Sequence, residues 1–227
     1  MKIGIVAAMP SEARLLLQAL GVSEPIVENL REDPLAIYSG VVGSTKVFVV
    51  VSSIGKTNAA IATTNLISKV QPDLIINQGV SGSLMPSRGI NSLVLATETL
   101  YHDQDRSLYE DFTPYKTTFQ TAANYTALLR IQCEREAPVN VGAICSGSAF
   151  IASKEISEDI VSRTGALAVD MESTSVAQVC DQFNVPLVIL RAISDSASDD
   201  ATELYELNLK LAAKLAQETI LNFVKTL

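Results

Sequence analysis

The sequence has no tryptophan, one histidine and three cysteines. A single histidine excludes the common multi-histidine metal sites, and neither a metal nor any other cofactor is expected. Cys133, Cys145 and Cys180 are odd in number and widely spaced. They form neither a disulfide framework nor a zinc signature, so they read as buried or free thiols of a reducing cytosol. No apolar run approaches the ~18 residues that span a bilayer. Glu12 and Arg14 break the first apolar stretch before it reaches signal-peptide length, and a cytoplasmic protein is expected. Lysine and arginine number 17 against 25 acidic residues, a formal charge of −8. No basic cluster offsets this, so neither nucleic acid nor a membrane is an expected partner. A phosphate-wrapping P-loop is missing as well. Ser52-Ser-Ile-Gly-Lys-Thr57 follows a strand and opens a helix, but Val50 stands where the motif needs its first glycine.

What is present is a regular alternation of apolar stretches and helix-forming ones. Residues 3–8, 73–77, 92–97, 139–145 and 185–190 read as strands, with a short one at 167–169. Residues 35–39 and 46–51 read as a hairpin turned by Gly40 and Gly43, after a polar connection over 21–34. Helices are expected over 11–20, 58–69, 121–136, 154–163 and 202–227, with another ending near Phe183. Residues 101–111 read as a polar, aromatic loop holding His102. Gly79 and Gly82 suggest a tight turn after residue 77 that allows close backbone approach. The alternation predicts one α/β domain over residues 1–227 with a mainly parallel central sheet.

Three carboxylates each follow an apolar strand: Glu12, Glu172 and Asp195. The stretch around the last is the most telling. Residues 185–190 are apolar, and Arg191, Ser194 and Asp195 then arrive where the strand is expected to end. Charge leaves water only when it is paired or used. Ends of neighbouring parallel strands share one sheet edge, where ligands bind in open α/β folds. Several carboxylates with an arginine and no histidine base suit proton transfer around a sugar. Breaking a glycosidic bond needs an acid for the leaving group and a base for water.

The order of motifs carries a resemblance. Ala8-Met9 with Glu12, Ser53-Ile-Gly-Lys56, Tyr101-His-Asp103, Ser146-Gly-x-Ala-Phe-Ile151, Val169-x-Met-Glu172 and Arg191-Ala-Ile-Ser-Asp195 span nearly the whole chain. The sequence resembles the 5′-methylthioadenosine/S-adenosylhomocysteine nucleosidases of the purine nucleoside phosphorylase-like superfamily. The resemblance implies a three-layer α/β sandwich with a mixed, mostly parallel sheet. It implies a hydrolase that separates adenine from a 5′-thio-substituted ribose. By analogy Glu12 would activate water, and Asp195, helped by Ser194, would protonate adenine N7. Glu172 and the Met171 backbone would grip the ribose hydroxyls, with Arg191 near the water. Phe150 would stack on adenine, and the Ile151 main chain would read its edge. Met9, Ile54 and Tyr205 would wall the 5′ pocket. A second subunit would close that pocket with the loop holding Tyr109, which implies a homodimer.

The chain also departs from the family pattern. Val80 and Ser81 stand where serine and alanine are usual in the glycine segment, Asp170 replaces a glutamate, and Ser148 replaces an aspartate. Arg106 and Tyr109 fall where apolar residues are usual, and Tyr205 adds a hydroxyl at the thio end. A pocket built to pair a polar group disfavours a purely apolar methylthio group. A related hydrolase or phosphorylase with another 5′ preference, or a nucleoside-binding protein with weak turnover, are the alternatives.

Overall fold

The computed structural model describes residues 1–22, 32–85 and 89–227. The connection expected over 21–34 therefore lies largely outside the described residues. The strands are β1 (Lys2–Ala7), β2 (Ile37–Val42), β3 (Thr45–Val51), β4 (Leu74–Ser83), β5 (Leu93–Tyr101), β6 (Thr118–Gln120), β7 (Val139–Ser146), β8 (Ala168–Asp170) and β9 (Leu187–Asp195). The helices are α1 (Pro10–Ala19), α2 (Lys56–Val70), α3 (Arg106–Asp111), α4 (Ala123–Glu136), α5 (Lys154–Thr164), α6 (Ser173–Phe183) and α7 (Ala201–Val224).

Strand alternation sorts the core onto two faces. Ile3 and Ile5 of β1, Leu74 and Ile76 of β4, and Val188 and Leu190 of β9 pack with α1, α4 and α7. Val6, Ile75, Leu187 and Ile189 point the other way, against α2 and α6. Because both faces are covered, these strands read as continuous apolar runs in the sequence.

The sheet is mixed and flanked by helices. It does not form the open middle layer expected. Strand β4 pairs with β8, β8 with β7, β7 with β5, β5 with β9, and β9 returns to β4. These five strands close on themselves, while β1, β3 and β2 extend from β4 as an open wing. Among the described residues five of the nine strand pairings are parallel, as expected of a mixed, mostly parallel sheet, and β4–β8, β5–β9, β5–β6 and β2–β3 are antiparallel.

Other expectations are corrected locally. Gly40 lies inside β2, and the hairpin turns at Gly43 alone, where φ is +62°. Gly40 instead lets β2 approach Leu20, whose Cα would lie 3.1 Å from an added Cβ. The expected loop after Tyr101 contains α3, started by the Asp105 carboxylate accepting from the Ser107 amide at 3.0 Å. The expected turn at Gly79 and Gly82 is the last part of β4. The strand continues because β9 pairs with it as far as Gly82↔Asp195. For the same reason Arg191, Ser194 and Asp195 lie within β9 rather than past its end.

Candidate active site

The carboxylates converge on a pocket of about 420 Å³ above the β1, β4 and β9 ends, a size suited to a small ligand. Its wall includes Ala8, Met9, Glu12, Ile54, Val80, Ser81, Phe150, Met171, Glu172, Ser194, Asp195, Thr202, Tyr205 and Glu206. Ile151 lines a smaller recess that shares Gly82, Phe150, Asp170, Met171 and Asp195 with the main pocket.

Glu12 enters from the first turn of α1, which Pro10 begins. It is buried rather than a surface residue of the helix start. One carboxylate oxygen accepts from the Ala8 and Met9 amides at 3.0 and 2.9 Å. The other accepts from the Val80 amide at 2.8 Å. The departure at Val80 therefore leaves this contact intact, because the backbone makes it. Burial pushes the Glu12 carboxyl upward, Arg191 and the three amides oppose that, and the net direction is up. A buried carboxylate with a raised pKa is a stronger base for water than an exposed one.

Asp195 is aimed by a bulge. Ser81 pairs with Ile193 and Gly82 with Asp195, so Ser194 is an extra residue on β9. Bulges re-aim side chains beside sites. The Asp195 carboxyl accepts from the Ala197 amide and from the Ser194 hydroxyl, both at 2.9 Å. Burial raises its pKa, against the pull of those two donors. A carboxyl in that condition can hold a proton near neutral pH.

Glu172 sits at the entrance to α6 and accepts from the Gly55 amide at 2.8 Å. Burial first, then the Asp170 charge, pushes its pKa up to about 7, with Arg191 opposing. It reaches the pocket from β8, which runs antiparallel to β4. The expectation that all three carboxylates end parallel strands is thus corrected for this one.

Two expected site residues line neither the pocket nor the recess. Arg191 is only 1% exposed and lies beneath the pocket floor. Its Nε donates to Asp170 at 2.8 Å, and its Nη2 donates to Asn77 at 2.8 Å and Ser173 at 2.9 Å. A guanidinium this deep needs every donor used. Its other end lies beside Glu12 across Gly79: a Cβ there would overlap both Arg191 Nη1 and Glu12 Oε1. Tyr109 lies outside the pocket, with its ring 5.5 Å from that of Tyr101.

Sequence reasoning noted Asp170 only as a departure and assigned nothing to Asn77 or Ser173. Asp170 accepts from the Ser146 hydroxyl at 2.5 Å, from the amides of Glu172 and Ser173 at 3.1 Å, and from the Ser173 hydroxyl. It is the counter-charge that keeps Arg191 in place. Asn77 carried a signal, as a polar residue inside an apolar strand. Thr202 carried one too, since it lies three residues before Tyr205 on the same helix face, and Glu206 follows Thr202 at a spacing of four.

The phosphorylase superfamily model matches residues 2–225. A 5′-methylthioadenosine/S-adenosylhomocysteine nucleosidase of Staphylococcus aureus (strain JH9) is 35% identical over 225 residues, covering 96% of each chain. A Helicobacter pylori nucleosidase of this kind, an aspartate-to-asparagine mutant with 5′-methylthioadenosine in the active site, is 34% identical. It superposes with a TM-score of 0.88, over 100% of this chain and 99% of that one. A futalosine hydrolase mutant of Helicobacter pylori is 31% identical with a TM-score of 0.89, over 100% of both chains. The chain belongs to the phosphorylase superfamily, among its 5′-methylthioadenosine/S-adenosylhomocysteine nucleosidases.

Proposed function

We propose that the protein hydrolyses the N-glycosidic bond of 5′-methylthioadenosine and S-adenosylhomocysteine, releasing adenine and the 5′-thioribose. The observation that carries this reading is that Glu12 and Asp195, both buried, line one pocket whose other walls are largely apolar. Glu12 takes a proton from water as its oxygen bonds to C1′. The C1′–N9 bond breaks, and Asp195 gives its proton to adenine N7, so the base leaves neutral. The negative charges of Glu12 and Glu172 favour the oxocarbenium-like transition state. Glu172 and the Met171 backbone hold the ribose hydroxyls, and Phe150 and the Ile151 main chain hold adenine. Arg191 acts from below the floor, through Glu12 and Asp170.

Water rather than phosphate is the nucleophile in this reading. Phosphorolysis needs an anion site, whereas the pocket lining includes Glu12, Asp170, Glu172, Asp195 and Glu206. The guanidinium of Arg191 is committed to Asp170, Asn77 and Ser173. Adenine release from both nucleosides, with and without added phosphate, tests the proposal. Equal rates in the two conditions are expected. Release that requires phosphate, or none from either nucleoside, overturns it.

One observation favours a second reading of the 5′ end. The Tyr205 hydroxyl donates to the Met9 sulfur at 3.4 Å, and a thioether is a weak acceptor. With Thr202 and Glu206 nearby on the wall, this end offers polar partners to a 5′ tail such as that of S-adenosylhomocysteine. The reading extends to a cytoplasmic homodimer serving methionine salvage. Exposed Leu108, Phe112 and Tyr115 around Tyr109 supply apolar surface for a second copy, and three free thiols fit a reducing compartment.

A further inference from the structure

Lys56, Asp103 and Ser148 come from three separated parts of the chain and meet beside the pocket. Lys56 is the first residue of α2, one residue after Gly55 and two after Ile54. Its ammonium donates to both Asp103 carboxylate oxygens at 2.8 Å. One of those oxygens also accepts from the Ser148 amide at 2.8 Å. Lys56 lies 5.2 Å from the Tyr101 ring centroid as well, which gives the ammonium a second favourable contact. The pair is not an open surface ion pair: the side chains are 16% and 25% exposed. Asp103 is held below its ordinary value by the Lys56 and Ser148 contacts, although burial works against them.

The two segments tied together here both contribute to the pocket lining. Gly55 fixes Glu172 through its amide, and Ile54 lines the wall. Ser148 leads into Phe150, which is 47% exposed and meets Tyr205 edge-on at 5.6 Å. The bonds that hold the 147–150 segment to the body include Gly147 N–H to the Asp170 carbonyl at 3.1 Å and the Asp103 contact. Residues 148–150 are exposed, and exposed loop backbone opens more readily than a packed strand. By contrast, Glu12 and Asp195 are held by other donors altogether: Ala8, Met9 and Val80 for one, Ala197 and Ser194 for the other.

We propose that Asp103 is a positioning residue that, through Lys56 and Ser148, sets the spacing between the ribose-holding and adenine-holding loops. It therefore governs substrate affinity without touching substrate or the reacting atoms. The inference rests on the nucleosidase reading above and adds a residue to it. Ser148 suits the role in this chain, because an aspartate there would place a second negative charge beside Asp103. The serine adds no charge there, and its amide donates to Asp103.

The test uses the full chain as wild type, Asp103→Asn, Lys56→Met and Lys56→Arg. Two readouts are taken: adenine release from 5′-methylthioadenosine, and amide hydrogen exchange without nucleoside. Asp103→Asn is expected to raise KM about tenfold while kcat stays within about threefold of wild type, a loss comparable to breaking one shielded charged contact. Lys56→Met should match it, and Lys56→Arg should restore most of the affinity. Exchange should rise at residues 53–56 and 147–151 together and remain unchanged in β4 and β9. An unchanged KM overturns the inference. So does exchange that rises throughout the chain with kcat and KM moving together, which would mark a general loss of stability. If wild type releases no adenine, the nucleosidase reading fails by itself. The exchange data then still decide whether Asp103 couples the two loops.

Discussion

The floor of the pocket and its rim are built on different physics. The floor residues Glu12 and Asp195, and Arg191 beneath them, are each at most 2% exposed. Each is fixed by two or more hydrogen bonds, with donors or acceptors on strands, at a helix start or in the turn that follows β9. The rim residues Ile54 and Phe150 are about half exposed and ride on segments that connect strands to helices. The contrast teaches how labour is divided. Groups that move protons must be held to within a fraction of an ångström, and a packed sheet does that. Groups that admit and release a nucleoside must move, and loops do that.

The sharpest way to break the comparison is Asp195→Asn. The account expects kcat for adenine release to fall about 10²–10⁴-fold, with nucleoside binding kept in calorimetry and little change in Tm. Gly79→Ala should act on structure and chemistry together. Its Cβ would push between Arg191 and Glu12, with a loss of about 1–3 kcal/mol in denaturant unfolding and a matching loss of turnover. The equivalent change at the exposed Phe150, Phe150→Leu, should leave stability nearly unaltered and raise KM.

A smaller effect is expected at Glu172. Its carboxyl titrates at about 7 in the folded protein, against about 4.3 in an unfolded chain. Between those values the folded state keeps a proton that the unfolded chain releases. This group's contribution to stability is therefore full at low pH and lost as pH rises toward 7. Glu172→Gln should raise Tm by several degrees at pH 8 and by nothing at pH 4, as thermal melts would show. The same variant should lose the pH dependence of KM near 7. The smallest effect is expected at the rim: Tyr205→Phe should shift kcat/KM toward 5′-methylthioadenosine over S-adenosylhomocysteine by about threefold to tenfold, from one hydrogen bond. A panel of the two nucleosides measures it.

The floor was also the more legible half in the sequence. A carboxylate or arginine inside an apolar stretch is visible without coordinates, and Glu12, Arg191 and Asp195 stood out for that reason. What the pattern could not give was pairing. Residues 185–195 read as a strand that stops at Arg191, because charge usually marks an end. In the fold β4 pairs with it to Asp195, and Asp170, Asn77 and Ser173 satisfy the guanidinium. Asp170 lies 21 residues from Arg191 and Asn77 lies 114 away. Local spacing carries no trace of such partners. The closing of β4, β8, β7, β5 and β9 into a ring was hidden for the same reason, since strand order is a long-range property. Short elements such as β6 and α3 have too few residues to show a period. At the rim, Tyr109 entered through family likeness alone, and within one chain it rests on Tyr101 rather than on the pocket.

The central claim is that water, activated at Glu12, attacks the sugar while adenine leaves protonated by Asp195. Turnover of 5′-methylthioadenosine in ¹⁸O-labelled water containing phosphate tests it most directly, with mass spectrometry of the sugar product. The account predicts a free 5′-methylthioribose carrying one ¹⁸O from the solvent water, and no phosphorylated sugar. A 5′-methylthioribose 1-phosphate without solvent label would contradict it.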